Sequence, residues 1–556
     1  MSPSELKGDL ITAREQLFVA LDRYTELCSK IRKTHHQDTQ LAGFPWSEVA
    51  SELPFLPLLE AKLQAATQNL HRAHELGRAR TSSTYPPPIH KLPDEVLAQI
   101  FRIAAGVQLR DLHPIGKHGA TTFPSYSDSI AQTCGRWRQI ALECSPLWMH
   151  ICLAPHPTQP ELVFDRAKSC AQRAGQLPVQ LRITDLEGQV DLDYFNKNDI
   201  QEFFGSIAQR TKSLDIVRSN SSTSQLESEG LTNILRGCSE MFTRLIVRSQ
   251  GLSSYGFIEP LNEPDEEWPG AIQVDLPLQQ IERGLAHLTV LHASQIYPRW
   301  NSTAYHGLVD LRLISNHRYT YECPRIKPTE FVAILNASPR LRILHFGLNL
   351  NSNPDLPING MNVQLNDLEV LHLAASRCYG PEDTEYEIQR IMRHITPGSK
   401  PLCLTLDLAG YHDPGPIETM KAFFAKSHIV QFRAKQGNPP PVQLLDHASH
   451  LTHLVFDHCR YDMMYDYRQA RSQTIKLDSW IIRESPIYIE DLQPLLEQYS
   501  ARSIIISNCQ LFSKEGGPVE IAGTDLEEWG LQLPEHVVYV NPDQPATRPT
   551  RRMGQP

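Results

Sequence analysis

Histidines and charged residues recur at one position of a repeated short motif. The motif is L-x-x-L-x followed by a third apolar residue, with copies starting at Leu288, Leu308, Leu341, Leu368 and Leu451 and a degenerate relative at Cys403. If each copy is a strand, alternation places the residue between its last two apolar positions on the outer face of a sheet. That position holds His292, Arg312, His345, His372, Asp407 and Val455. Strands about 4.8 Å apart would align these side chains in one column.

The column predicts a binding face rather than a catalytic centre. Imidazoles titrate near neutral pH, so we expect a pH-tunable polar stripe that contacts a partner. The residues assigned to this face are His292, Arg312, His345, His372 and Asp407. The alternative is an ordinary solvated sheet face whose histidine content is chance. A metal site is not expected, because adjacent imidazoles alone lack a closing ligand.

Other chemistry has no sequence support. The chain lacks the G-x-S-x-G, H-E-x-x-H and G-x-x-x-x-G-K-[ST] motifs and a G-x-G-x-x-G that opens a helix. Its 11 cysteines include no C-x-x-C pair, which favours reduced thiols over a disulfide framework or a zinc site. We therefore expect no catalytic residues, no bound metal and no cofactor.

Charge and hydropathy narrow the classes of partner. The 556 residues include 53 Lys and Arg against 63 Asp and Glu, for a net charge of −10. Nucleic-acid binding needs a basic surface, so it is not expected. Neither a membrane-spanning apolar run nor a secretory leader is visible, and we expect an intracellular chain, cytoplasmic or nuclear.

The strand motifs alternate with helical stretches. Phe331, Ile334 and Leu335 precede the copy at Leu341, across the breaker Ser338-Pro339. Helix, breaker and short strand, repeated, are typical of an α/β solenoid with a parallel sheet. The stretch 154–535 resembles an irregular leucine-rich-repeat array. The tail 536–556 is poor in apolar residues and is expected to be disordered.

The N-terminal residues have a different pattern. Apolar residues from Leu6 to Ile31 follow a 4-3 alternation, and a second stripe runs from Leu56 to Ala73. This predicts a helical hairpin over 1–80, in which the two stripes cover each other. The alternative is a dimerisation seam that gives self-association. The Ser- and Pro-rich run 81–88 is expected to be a linker.

Between linker and array, 89–153 encodes two short amphipathic helices. The first contains L-P-D-E-V-L-x-x-I-F, with Gly106 as a candidate stop, and the second contains S-I-A-Q-T-C-x-R-W-R-x-I-A-L, followed by P-L-W. Helices of this length are marginal alone. They carry more large apolar side chains than they can hide against each other, which indicates a partner surface inside or outside the chain.

These three elements, in this order, resemble the F-box of fungal F-box proteins. The resemblance implies a small helical domain that docks a Skp-type adaptor, itself held by a cullin–RING ubiquitin ligase. Carried over by position, the docking residues are Leu92, Pro93, Val96, Leu97, Ile100, Phe101, Ile130, Cys134, Trp137, Leu147 and Trp148.

The expected fold is thus a mainly α N-terminal part, made of a helical hairpin and a small helical F-box, followed by an α/β leucine-rich-repeat solenoid with a parallel sheet. The expected function is a substrate-recognition adaptor of a Skp–cullin–F-box ubiquitin ligase, whose solenoid binds an unknown protein substrate. The connection 107–127 departs from compact F-boxes: it is either a surface insertion or an obstacle to docking. The alternatives are a ligase-independent scaffold and a structural helical neck.

Overall fold

The structure is a computed structural model. It describes residues 88–110, 126–153, 161–184, 197–218, 225–237, 240–249, 255–261, 270–315, 324–350, 362–374, 387–408, 418–437, 442–459, 476–488, 500–513, 517–518 and 537–540, with seven residues between Thr12 and Arg23. The predicted hairpin 1–80 and linker 81–88 lie almost entirely outside these residues. The chain divides into two compact units, Met1–Pro93 and Asp94–Pro556. The described helices and strands from Asp94 onwards all belong to the second unit.

The helices fall into an N-terminal group and a group that connects strands. The first group is α1 (Asp94–Arg110), α2 (Tyr126–Thr133) and α3 (Gly135–Glu143), followed by the 3-10 turn Ser145–Trp148. The second group is α4 (Glu161–Ala174), α5 (Lys197–Ile207), α6 (Gln225–Arg236), α7 (Leu278–Leu285), α8 (Pro328–Ala337), α9 (Glu387–Arg393), α10 (Glu418–Lys426) and α11 (Val442–Leu445). None of the described helices is long and apolar enough to span a bilayer.

One large sheet dominates the described chain. Its strands are β1 (His150–Leu153), β2 (Val179–Thr184), β3 (Thr211–Arg218), β4 (Arg244–Ser249), β5 (Val290–Ser294), β6 (Asp310–Ile314), β7 (Ile343–Gly347), β8 (Val370–Ala374), β9 (Leu402–Asp407), β10 (Ile429–Gly437), β11 (His453–Cys459), β12 (Lys476–Arg483), β13 (Ser500–Ser507) and β14 (Val537–Val540). Their spatial order is their chain order. Every pairing in this sheet is parallel.

Short strands lie beside the main sheet. They are Gly256–Pro260, Ile272–Val274, Ile296–Tyr297, Arg325–Ile326, Asn349–Leu350, Val363–Leu365, Ile395–Pro397, Pro486–Tyr488, Gln510–Ser513 and Gly517–Pro518. They form small sheets of two or three strands.

Strand alternation separates a buried face from an outer face. Along β8 half-buried and buried positions alternate, so that Leu371 and Leu373 are buried while His372 is half-buried. The buried positions meet in register and form one apolar row across the sheet: Ile151, Leu181, Leu214, Leu245, Leu291, Leu311, Leu344, Leu371, Leu404, Phe432, Leu454, Trp480 and Ile504. Each of these side chains is at most 2% exposed. Burial of this row is the main hydrophobic stabilisation of the sheet.

The predicted fold class is wrong. In place of the predicted leucine-rich-repeat solenoid, the described chain is organised by a single large parallel sheet with helices, while the predicted N-terminal hairpin lies almost entirely outside the described residues. The sheet begins at β1, inside the segment 89–153 that was predicted to be helical. The strands start at uneven intervals, from 20 residues between Val290 and Asp310 to 46 between Arg244 and Val290. The sequence reasoning missed β1 because four residues are too few to display alternation.

Two helix boundaries also differ from expectation. Helix α1 continues through Gly106 to Arg110. The second predicted helix is two helices, because Cys134 adopts an extended conformation and its Sγ accepts the backbone N–H of Trp137 as the N-cap of α3. Further along, the segment 536–556, expected to be disordered, contains strand β14, which pairs with β13.

Candidate functional site

The eleven residues assigned to adaptor docking separate into buried, half-buried and exposed groups. The buried group packs the helical segment itself and consists of Leu97, Phe101, Ile130, Leu147 and Trp148, each at most 7% exposed. Ser127 ties this group together, since its hydroxyl donates to the carbonyl of Leu147 at 2.7 Å. These five side chains hold the fold and present no surface to a partner.

Trp148 is the largest of these side chains and is held by polar contacts as well as by burial. Its indole is 1% exposed, and Nε1 donates to the carbonyl of Ala141 at 2.7 Å. The guanidinium of Arg173, on α4, lies 4.4 Å from the ring centroid. A cation over an indole face is attracted by the ring quadrupole. Trp148 therefore joins the helical group to the start of the sheet region. It exposes no surface through which it could anchor a partner, contrary to the expectation from the sequence.

Two of the half-buried residues, Cys134 and Trp137, make contacts that stabilise the helical segment itself. Cys134 caps α3, and Trp137 packs its ring 4.8 Å from that of Phe101, centroid to centroid. Leu92 is also half-buried, whereas Pro93 is exposed; both belong to the first unit.

One face of α1 is apolar and exposed. Val96, Ile100 and Ile103 are 42%, 39% and 58% exposed, and their spacing of four and three residues puts them on the same side of the helix. We call these three residues the α1 stripe. Ile103 was absent from the predicted docking residues, although its spacing from Ile100 could have identified it.

Ion pairs orient α1 and the helices packed around it. At the start of α1, Asp94 accepts hydrogen bonds from Arg136 on α3, with Nε at 2.9 Å. Asp128 on α2 pairs with Arg166 on α4 at 2.5 Å. Both pairs are partly exposed, so each contributes modestly to stability and more to the orientation of the helices. Arg138, which could frame the rim of the docking surface, is exposed.

On the outer face of the sheet, register brings five of the six predicted column residues into one row, in which Val455 follows after Thr405 and Arg433. His292 lies beside Arg312, Arg312 beside His345, and His345 beside His372. The next member is Thr405 rather than Asp407. Asp407 lies one row further along its strand and pairs with Lys435 at 3.4 Å. The predicted column is therefore corrected at Asp407.

A carboxylate that the prediction missed organises the row. Nε2 of His292 lies 3.0 Å from the Asp310 carboxylate, which accepts a hydrogen bond from Nε of Arg312 at 2.9 Å. Burial alone would raise the pKa of Asp310, but the adjacent His292 and Arg312 side chains lower it to about 2. The Asp310 carboxylate thus stays charged at all ordinary pH values.

The two central histidines are neutral at pH 7. Their rings lie 5.0 Å apart, centroid to centroid. Burial, followed by the nearby charge of Arg312, lowers the pKa of His345 to about 3, and burial lowers the pKa of His372 to about 4. Titration therefore occurs near pH 3–4 rather than near neutrality, where the sequence reasoning expected it.

A second charged group lies further towards β1. Asp215 on β3 accepts a hydrogen bond from Arg248 on β4 at 2.7 Å and faces Nε of Arg182 on β2 at 3.9 Å. All three side chains are on the outer face. Sequence reasoning missed them, although the alternation V-Q-L-R-I and L-D-I marks Arg182 and Asp215 as outward-facing.

The candidate site comprises two surfaces, the α1 stripe and the outer face of the main sheet. Within the described ranges there is no group of three or more His, Cys, Asp and Glu side chains that could hold a metal ion. Comparison with known proteins finds no matching family model and no matching curated protein.

Proposed function

We propose that the chain is a substrate-recognition adaptor of a Skp–cullin–F-box type ubiquitin ligase. In this proposal α1 docks a Skp-type adaptor, which links the chain to a cullin–RING ligase, and the outer face of the sheet binds a protein substrate. The chain itself performs no catalytic step, and it works inside the cell, in the cytoplasm or nucleus. The sequence resemblance over 89–153 supplies the identity of the partner.

The observation that carries the proposal is the α1 stripe. Leu97 and Phe101, on the inner side of α1, are at most 2% exposed, whereas Ile100 and Ile103 on the other side remain open. Exposed β-branched side chains in a row along a helix are a helix-in-groove docking pattern. Completing the burial of each such side chain supplies on the order of 1 kcal/mol of binding energy.

The test measures binding of the purified full chain to a Skp-type adaptor. Ile100→Asn combined with Ile103→Asn removes two members of the stripe without touching the buried side of α1. We expect the affinity to fall at least about tenfold, since 1.4 kcal/mol corresponds to that factor.

A matched control is available elsewhere in the same unit. Leu261→Asn changes an apolar side chain that is 46% exposed and lies outside α1. We expect it to bind the adaptor like the wild type. Equal binding by the double variant and the wild type would reject docking through α1.

A second candidate is a ligase-independent scaffold. It is favoured by the burial of five of the predicted docking residues within the chain, Leu97, Phe101, Ile130, Leu147 and Trp148, which leaves fewer anchors for a partner. Absence of adaptor binding by the wild-type chain, with an intact sheet, supports this candidate over the first.

A further inference from the structure

Arginines exceed carboxylates on one part of the outer sheet face. On strands β2 to β6 the described outward side chains include Arg182, Arg244, Arg248 and Arg312, against Asp215 and Asp310. Burial lowers the pKa of His292, and this imidazole adds no charge at pH 7. The local excess is therefore positive, although the whole chain has a net charge of −10.

The geometry places this excess on β2 to β4. Asp310 is matched by Arg312, which donates to both carboxylate oxygens at 2.9 and 3.0 Å. Asp215, in contrast, is shared by Arg182 and Arg248. Arg244 is exposed and has no ion-pair partner among the described residues. Among the described outward side chains of β2 to β4, three arginines thus accompany one carboxylate, Asp215.

Two of these guanidinium groups are already partly desolvated in the free chain, which favours binding of an anion. The side chains of Arg182 and Arg248 are 14% and 35% exposed, so part of their desolvation cost is already met in the free chain. Nε of Arg248 is buried and finds no hydrogen-bond acceptor in the described part of the chain. Charge-assisted hydrogen bonds to carboxylates are stronger than neutral ones, and arginine presents several donors in fixed geometry.

The spacing fits an extended peptide. Arg244 and Arg248 lie four residues apart on β4 and point to the same face. At about 3.3 Å per residue they are about 13 Å apart, which is also the distance between residues i and i+4 of an extended peptide. A polyanion such as nucleic acid is disfavoured, because the acidic chain as a whole repels it.

We infer that Arg182, Arg244 and Arg248, together the arginine face, bind an acidic segment of the protein substrate through its Asp and Glu carboxylates. The inference rests on the proposed function only in calling the bound protein a substrate, and the binding of an acidic segment does not require the adaptor. The α1 stripe and the arginine face are separate surfaces and are tested separately.

The experiment measures fluorescence anisotropy of a labelled peptide with the full chain alone. The probe is a Gly/Ser peptide of about twelve residues with Glu at alternate positions, long enough to span the arginine face when extended. Its control has Gln in place of Glu. We expect the Glu peptide to bind, the Gln peptide not to bind, and the affinity to fall as NaCl is raised.

Variants assign the binding to particular side chains. Arg244→Gln with Arg248→Gln should weaken Glu-peptide binding about tenfold. Arg342→Gln is the matched control, because Arg342 is an exposed arginine that pairs with Glu369 and immediately precedes β7, three strands along the sheet from β4. Arg342→Gln should leave the affinity unchanged, as should the Ile100/Ile103 double variant that tests the adaptor site.

Three outcomes overturn the inference. The first is equal affinity for the Glu and Gln peptides. The second is a loss of Glu-peptide affinity in Arg342→Gln as large as in the Arg244/Arg248 double variant. The third is tighter binding of a single-stranded DNA of similar length than of the Glu peptide. Loss of adaptor binding with retained peptide binding would reject the proposed ligase role and leave the arginine face in place.

Discussion

Replacing Trp148 by Phe tests whether this residue holds the fold or anchors a partner. The indole is 1% exposed and donates to the carbonyl of Ala141 at 2.7 Å. The change keeps an aromatic ring in the site but removes the donor, leaving a buried carbonyl oxygen without that hydrogen bond. It also shrinks the surface over which Arg173 lies.

Three losses set the change in the free energy of unfolding caused by Trp148→Phe. The carbonyl of Ala141 still accepts the backbone N–H of Cys144 at 3.3 Å, so loss of the indole hydrogen bond costs about 0.5–1.5 kcal/mol. The smaller ring adds a partial cavity and a weaker cation–π contact, each worth about 0.5–1 kcal/mol. We expect Trp148→Phe to lower the free energy of unfolding of the helical group by about 1.5–3.5 kcal/mol.

The assay is a chemical unfolding series on the full chain, monitored by hydrogen exchange in α1 to α3. Trp137→Phe is the matched control, because Nε1 of Trp137 has no hydrogen-bond acceptor among the described residues and its loss removes no bond. The control should cost less than Trp148→Phe. The reasoning is refuted if Trp148→Phe unfolds like the wild type yet loses adaptor binding, since Trp148 would then be an anchor.

Two further predictions concern the sheet. The folded-state pKa values of His345 and His372, about 3 and about 4, lie below the ordinary 6.5, so the unfolded chain binds protons first as pH falls. Their contribution to the free energy of unfolding is complete above pH 6.5 and falls by up to about 2 kcal/mol per ring at pH 5. Urea unfolding of the wild type and of His372→Gln between pH 7 and pH 5 measures this loss. An identical pH dependence of the two proteins contradicts the prediction. Glu227→Gln removes the carboxylate charge facing Arg218, in an ion pair whose side chains are each 2% exposed. We expect a loss of about 3–5 kcal/mol in urea unfolding, and a smaller loss when Arg218→Met is added, because breaking a buried pair costs more than replacing it; a larger loss in the double variant rejects this account.

Strand positions were accessible from the sequence because they depend on local pattern. Leu291, Leu344 and Leu371 are buried strand positions within three of the motif copies. The row from His292 to His372 follows from the same alternation. These features need only the two-residue period of a strand and one buried face.

The error at Asp407 shows what such a pattern leaves open. Leu404, Leu406 and Leu408 alternate, so the motif fits β9 in two registers that differ by two residues. Pairing of Leu404 with Leu371 selects the register that places Thr405 beside His372. That choice depends on contacts between strands, which a single strand does not encode.

The docking residues illustrate a similar limit. Helical spacing identified the apolar positions of α1, but Phe101 and Ile100 are adjacent in sequence and only the first is buried. Which side is covered depends on where α2, α3 and the turn containing Trp148 pack. The fold class was missed for the same reason, since the short strand β1 becomes recognisable only through its pairing with β2.

The most direct test of the account is hydrogen–deuterium exchange of the full chain with and without a purified Skp-type adaptor. The account predicts new protection in Asp94–Arg110, centred on Ile100 and Ile103, with exchange in the main sheet unchanged. Protection confined to other segments, or none at saturating adaptor, contradicts docking through the α1 stripe.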